Sequence, residues 1–211
     1  MPEPASAPVQ SGAQIRDRLI DAAVQEFGEQ GYDRTRVQDI ARRAGLSTGA
    51  IYGNFRNKAD LLAEAVDRGL NAASRRLGRA LNRGTAPADV LEMITADLCD
   101  ARQRAWAPLL SEALAAARRD PEVGRRVHAA LRAAETQLAE LVALAQREGA
   151  LSAEVDAAAL ARLLLYMSVG ADVLATLGVD GPATGPWRSL IRLLFAGLTP
   201  GHRTPGRRTP G

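Results

Sequence analysis

An all-α fold is predicted for this 211-residue chain on three observations. Apolar residues recur at spacings of three and four rather than alternating, which is the helical period. Capping residues punctuate that pattern and leave only short connections between periodic segments. Composition agrees, since alanine, leucine and arginine dominate while aromatic residues make up only 4%. With 46% hydrophobic and 24% charged residues, the chain is a globular one, and it is long enough to bury a core with ease.

Residues 1–12, rich in Pro, Ala and Ser, read as a disordered tail. A first helix is predicted over 13–29, with Ile15, Leu19, Ala23 and Phe27 on one face, a capping box from Ser11 and Gln14, and Gly31 as its stop. Thr35 with Gln38 has the form of a second capping box, opening a helix that turns Val37, Ile40, Ala41 and Ala44 inward and ends at Gly45. Ser47 is placed to cap a third helix over 48–55, and Asn57 a fourth with Asp60 in its first turn. Five further helices are expected over 87–104, 108–118, 121–148, 154–178 and 184–198, giving about nine in all. Asp120-Pro121 is a strong helix start, Gly149 a stop, and Gly181 with Pro182 a break. The expected organisation is a helix-turn-helix unit over 13–65, a helical bundle over 66–199 joined to it through the fourth helix, and a low-complexity tail over 200–211.

The net charge of +3 comes wholly from Arg203, Arg207 and Arg208 in that tail, so residues 1–200 are neutral. Total charge therefore does not identify a nucleic-acid binder, and any such reading rests on where charges sit. A single cysteine, Cys99, excludes an internal disulfide and suits a reducing compartment. The N-terminus has no apolar leader, and the most apolar run, Leu163–Ala171, is bounded by Arg162 and Asp172, short of the ~20 residues a membrane helix needs. A cytoplasmic protein without a membrane partner is expected. His128 and His202 have no companions at metal-ligand spacing, and no nucleophile–base pair or phosphate loop is visible, so no metal, cofactor or catalytic site is expected.

The stretch from the second to the third helix carries the functional signal. Two short helices meet at a tight turn that needs Gly45 in a left-handed conformation and Leu46 to pin the corner. In a helix-turn-helix the second helix enters the major groove of DNA. That helix holds Gly49 and Gly53, although an interior glycine costs about 1 kcal/mol relative to alanine. Glycines make sense there when something must approach the backbone closely.

The stretch "IRDRLIDAAVQEFGEQGYDRTRVQDIARRAGLSTGAIYGNFRNKADLL" resembles, without gaps, the DNA-binding domain of TetR-family transcriptional regulators. The resemblance implies a homodimeric regulator, a repressor by expectation, on double-stranded DNA with a pseudo-palindromic operator. Thr35, Arg36 and Gln38 are thereby implied as contacts at the start of the second helix, and Ser47, Thr48, Gly49 and Ala50 as contacts to bases or backbone. Tyr52 and Lys58 are implied to bond phosphate, and Asn54 stands where the family more often has histidine or an aromatic. Arg42, Arg43 and Arg56 lie around these positions.

Members of the family couple DNA release to a small molecule held among their C-terminal helices. Met93, Trp106, Leu110, His128, Tyr166 and Met167 are the candidates for lining that pocket, and a small apolar effector is expected. The helices over 154–178 and 184–198 are apolar on wide faces, and the resemblance makes them the dimer interface, with Leu163, Val169, Leu174, Trp187, Ile191 and Phe195 as its candidates. The competing reading is a helical small-molecule sensor or interaction protein that does not bind DNA, which a neutral core would suit.

Overall fold

The computed structural model describes residues 11–99 and 106–201. Most of the expected tails, the end of the helix expected over 87–104 and the arginines of the basic tail lie outside the described residues. Among the described residues the fold is all-α, with nine α-helices and one 3-10 turn.

Helix α1 (Gly12–Gln30) begins on the expected capping box, with Ser11 Oγ accepting from the Gln14 amide at 3.3 Å and Gln14 Oε1 accepting from the Ser11 amide at 2.9 Å. It ends at Gly31 with φ +83°. Two seven-residue helices follow, α2 (Val37–Arg43) and α3 (Thr48–Asn54). Helix α4 (Lys58–Asn82) is capped by Asn57, whose side chain accepts from the Asp60 amide at 2.8 Å. The second half holds α5 (Pro87–Ala96) with a 3-10 turn (Asp97–Cys99), α6 (Ala107–Ala117), α7 (Pro121–Arg147), α8 (Ala157–Thr176) and α9 (Thr184–Gly197). Asp120 caps α7 ahead of Pro121, and Asp156 caps α8.

The expected Thr35–Gln38 capping box does not form. Arg36 occupies the N-cap of α2 without a side-chain bond, and the Thr35 hydroxyl points the other way. It lies 2.7 Å from the Gly31 carbonyl and 3.1 Å from that of Glu26. The Thr35 hydroxyl thereby ties the loop after α1 to the helix's last turn.

Two hydrophobic clusters form the interior. The first gathers α1–α4 with Leu109, Leu110, Ala113 and Ala116 of α6 and Val123 and Val127 of α7. The second gathers α5, the later part of α7, α8 and α9. The helix-turn-helix thus shares its core with α6 and the start of α7, rather than closing on itself at residue 65.

Helices α8 and α9 turn a broad apolar surface outward. Leu163, Tyr166, Leu174 and Leu177 of the α8 region and Leu190, Leu193 and Leu194 of α9 are exposed, Leu193 by 72%. This corrects the expected interface residues. Ile191 and Phe195 are buried in the second cluster, Val169 packs on the first, and Trp187 packs on the second with its Nε1–H bonded to the Thr95 carbonyl at 3.0 Å. Only Leu163 and Leu174 of that set face out. Helix α8 is also long and apolar enough to cross a membrane by length and composition, contrary to the sequence reading, yet one side of it packs on α6 and α7.

One ion pair joins the start of α4 to the start of α7. Asp60, at the start of α4, accepts from the Arg56 amide at 3.1 Å and pairs with the Arg126 guanidinium of α7 at 2.6 Å. Burial pushes the Asp60 carboxyl up, but the Arg56 bonds and the Arg126 charge outweigh it and hold the group below its ordinary value. A depressed carboxyl stabilises the fold above its unfolded pKa and loses that contribution as pH falls through the folded one. Thermal midpoints should therefore decline on acidification below about pH 4. Asp60→Asn should lower the midpoint at neutral pH and make the acid decline shallower; an unchanged acid limb would remove Asp60 from the balance.

Candidate nucleic-acid interface and internal cavity

The turn between α2 and α3 is built as its sequence requires. Gly45 has φ +64°, a conformation that suits glycine, and the Leu46 amide bonds back to the Ala41 carbonyl at 2.9 Å. Ile40, Ala41, Ile51 and Phe55 are buried with Leu19, Ala23 and Phe27 of α1. Two arginines of α1, which the sequence did not single out, fasten the far ends of both short helices. Arg18 bonds the Ala44 carbonyl that ends α2, while Arg16 donates to the Asn54 carbonyl that ends α3 at 2.7 Å. Arg16 also lies 4.5 Å over the Phe55 ring and pairs with Glu64 at 2.7 Å. No local pattern signals these contacts, because each spans more than twenty residues.

With Ile51 and Phe55 turned inward, α3 shows solvent a nearly bare surface. Ser47, Gly49, Tyr52 and Gly53 are exposed, and Thr48 and Ala50 are half-buried. A Cβ on Gly49 would meet only Ser47 Oγ at 3.7 Å, and one on Gly53 would meet nothing within 4 Å. Packing within the protein therefore does not require either glycine. Tyr52, 60% exposed, is the large side chain on this ridge, and Ser47 keeps its hydroxyl free of any capping bond. Arg36 and Gln38 are exposed at the start of α2.

Other expected contacts are occupied inside the protein. Thr35 is buried, so its hydroxyl cannot reach a phosphate. Lys58 Nζ donates to the Tyr32 carbonyl at 2.7 Å and the Thr35 carbonyl at 3.2 Å, and sits 4.4 Å over the Tyr32 ring. Burial lowers its pKa, partly offset by the Asp33 carboxylate. The Asn54 amide donates to the Ala50 carbonyl of its own helix at 2.8 Å. Arg43 is bound to Glu26 and Glu29, each at 2.6 Å, and these bonds raise its pKa. Arg42 pairs with Asp39 at 2.6 Å but remains largely exposed.

The second half contains a cavity of about 70 Å³ between α4, α5, α7 and α8. Eight aliphatic side chains, among them Leu70, Leu91, Leu138 and Leu164, form its wall with Trp106 and three uncharged polar residues, Thr95, Gln137 and Ser168. Of the six residues expected there, only Trp106 lines it. Met93, His128 and Tyr166 are exposed, Leu110 is buried in the first cluster, and Met167 packs against the second.

The site thus pairs a helix-turn-helix whose second helix is lined by small residues with a helical bundle that holds an apolar cavity. Residues 19–65 match the family model of bacterial regulatory proteins, tetR family. It is 31% identical over 99 residues to the transcriptional repressor KstR of Mycolicibacterium smegmatis, covering 47% of this chain and 48% of that protein. The chain spans half or less of the length of the curated relatives it matches. Its fold is similar to a TetR-family regulator from a Rhodococcus species, with TM-score 0.76 and 20% identity over 89% of this chain and 99% of that one. It is also similar to the regulatory protein TetR of Rhodobacter sphaeroides, with TM-score 0.65 and 26% identity over 88% and 99% of the two chains.

Gly49→Leu tests the bare ridge. The variant should unfold at or above the wild-type midpoint, since leucine favours helix and a Cβ is unobstructed here, and yet lose DNA affinity. Retained affinity would mean that nothing approaches α3 at this glycine.

Proposed function

We propose that this protein is a homodimeric, sequence-specific transcriptional repressor, in which residues 13–65 bind double-stranded DNA and residues 66–199 hold a small apolar effector and the dimer contact. The observation that carries the reading is the ridge of Ser47, Gly49, Tyr52 and Gly53, exposed and thin, on the second helix of a motif that matches the family profile. An α-helix entering a major groove needs its backbone near the base edges. The exposed Arg36 side chain at the start of α2, with Tyr52 and the Ser47 hydroxyl on the ridge itself, suits phosphate or base contacts. A cytoplasmic location follows from this role.

The dimer is supported by the outward apolar surface of α8 and α9, with Leu193 and Leu177 more than two-thirds exposed. A patch of this kind on one protomer is a natural site for a second copy. Two-fold pairing would present two α3 helices to half-sites about 34–36 Å apart or a multiple of that spacing, hence a pseudo-palindromic operator. Effector binding would shift the population toward a conformer in which that spacing is lost.

Mobility-shift titration across genomic fragments should find one tight site, nanomolar in order of magnitude, above weak binding elsewhere. Uniform weak binding would leave a sensor without an operator. Leu193→Arg should yield a monomer by light scattering and abolish the tight complex while preserving helix content; a persistent dimer would move the interface elsewhere.

Arg36 and Lys58 separate two kinds of cation. Arg36→Ala should weaken DNA binding and reduce the slope of log affinity against log salt by about one. Lys58→Ala should mainly lower the thermal midpoint, because its ammonium is bonded to the 32–35 loop. A slope reduced equally by Lys58→Ala would show that the lysine leaves its carbonyls for phosphate.

A further inference from the structure

Helix α3 has only seven residues, Thr48–Asn54, which at the helical rise is about 10 Å of helix. The large side chains it sinks into the core are Ile51 and, one residue past its end, Phe55, with Ala50 half-buried beside them. Residues four apart stand one above the other on a helix face, so the two anchors form a line. Apolar burial has no direction of its own. A single line of anchors therefore resists withdrawal of the helix better than it resists tilting. The helix ends add little restraint of their own. Ser47 makes no side-chain cap bond, and the chain leaves α3 at Phe55 in extended backbone.

Arg16 of α1 supplies the missing direction. Its Nη1 donates to the Asn54 carbonyl at 2.7 Å, and its Nη2 pairs with Glu64 of α4 at 2.7 Å. Its Cζ stands 4.5 Å from the centre of the Phe55 ring. One planar group is thus fixed by the last carbonyl of α3, by a carboxylate of α4 and by a buried ring. A guanidinium carries its donors in a rigid fork and stacks on aromatic faces, which an ammonium on a flexible stem does not reproduce. The Arg16 and Glu64 side chains are 37% and 38% exposed, so as an ion pair they contribute little stability. What the contact adds is orientation. A tilt of about 10° about this end would carry the Thr48 end through about 2 Å. Direct contacts to base edges require placement within about 0.5 Å, whereas phosphate contacts carry no sequence information.

We propose that Arg16 is a positioning residue for base recognition: it fixes the tilt of α3 through the Asn54 carbonyl, and so sets discrimination between operator and other DNA without itself binding phosphate. This role rests on the DNA-binding reading above. Both terminal nitrogens of Arg16 are engaged within the protein, and its charge is balanced by Glu64. Loss of Arg16 therefore removes an angle rather than a contact to DNA.

The test compares full-length wild type, Arg16→Met and Arg16→Lys on the operator fragment and on a scrambled duplex of equal length, over a series of salt concentrations. Measurements are made well below each thermal midpoint, where all the protein is folded. Both variants should bind operator about tenfold or more weakly and the scrambled duplex within about twofold of wild type. The slope of log affinity against log salt should not change. Equal weakening on both duplexes with a slope reduced by about one would make Arg16 a phosphate contact and overturn the proposal. A lowered thermal midpoint with an unchanged ratio of the two affinities would leave Arg16 a merely structural tie. An Arg16→Lys protein that matches wild type would show that charge suffices without the fork, and it decides the question even if Arg16→Met does not fold. Hydrogen exchange gives a readout independent of DNA. The Phe55 amide, bonded to the Ile51 carbonyl at 2.8 Å, should exchange about threefold or more faster in the variants, and unchanged exchange would overturn the tie. Failure of wild type to prefer any fragment would instead defeat the repressor reading, and the exchange rates would still decide whether Arg16 holds α3.

Discussion

Backbone carbonyls at helix C-termini are the constraint on which the N-terminal half depends. An α-helix leaves its last four carbonyls without intrahelical donors, and in helices as short as α2 and α3 these are most of the carbonyls present. Side chains answer these and neighbouring loop carbonyls, some from more than twenty residues away. Arg18 takes Ala44, Arg16 takes Asn54, Thr35 takes Gly31 and Glu26, and Lys58 takes Tyr32 and Thr35 within the loop that follows α1. The aliphatic core drives α2 and α3 onto α1, and these polar ties set where they stop.

That arrangement explains why several residues of the motif do not point where DNA would be. A phosphate and a peptide carbonyl are both oxygen acceptors, and a lysine or threonine placed to serve one can serve the other. In the free protein Thr35 and Lys58 are bonded to carbonyls, and Arg43 to carboxylates of α1. What remains for a partner is a surface of small residues with Tyr52 upon it and Arg36 beside it. The interior ties and the bare ridge are two outcomes of the same packing, since side chains drawn inward leave backbone near the surface.

Features fixed by neighbours in sequence were legible. The Ser11–Gln14 box, the Asn57 cap, Asp120 before Pro121 and the left-handed turns at Gly31, Gly45 and Gly149 all stand where local chemistry places them. Features fixed across the fold were not. In α9 the residues 187, 191 and 195 form one apolar stripe and 190 and 194 another, so period alone identifies two stripes without saying which one the protomer keeps. The structure buries the stripe with the larger rings and exposes the leucines. The cavity was missed for a related reason: its wall is mostly leucine, which looks like any core, whereas Tyr166 and His128 stay outside with their polar tips in solvent. Of the expected lining, Trp106 alone combined bulk with a position at the start of a helix that faces α4.

The division of the chain into an N-terminal and a C-terminal half is one of sequence more than of packing. Leu109, Leu110 and Val123 lie in the same cluster as Phe27 and Leu61, so α6 and the start of α7 are as much the floor of the helix-turn-helix as part of the bundle. Close-packed interiors transmit displacement because they have no slack to absorb it. Residues of the second half meet α4 at two points, the Trp106 ring at Gly69 and Arg126 at Asp60, about two and a half turns apart along the same helix.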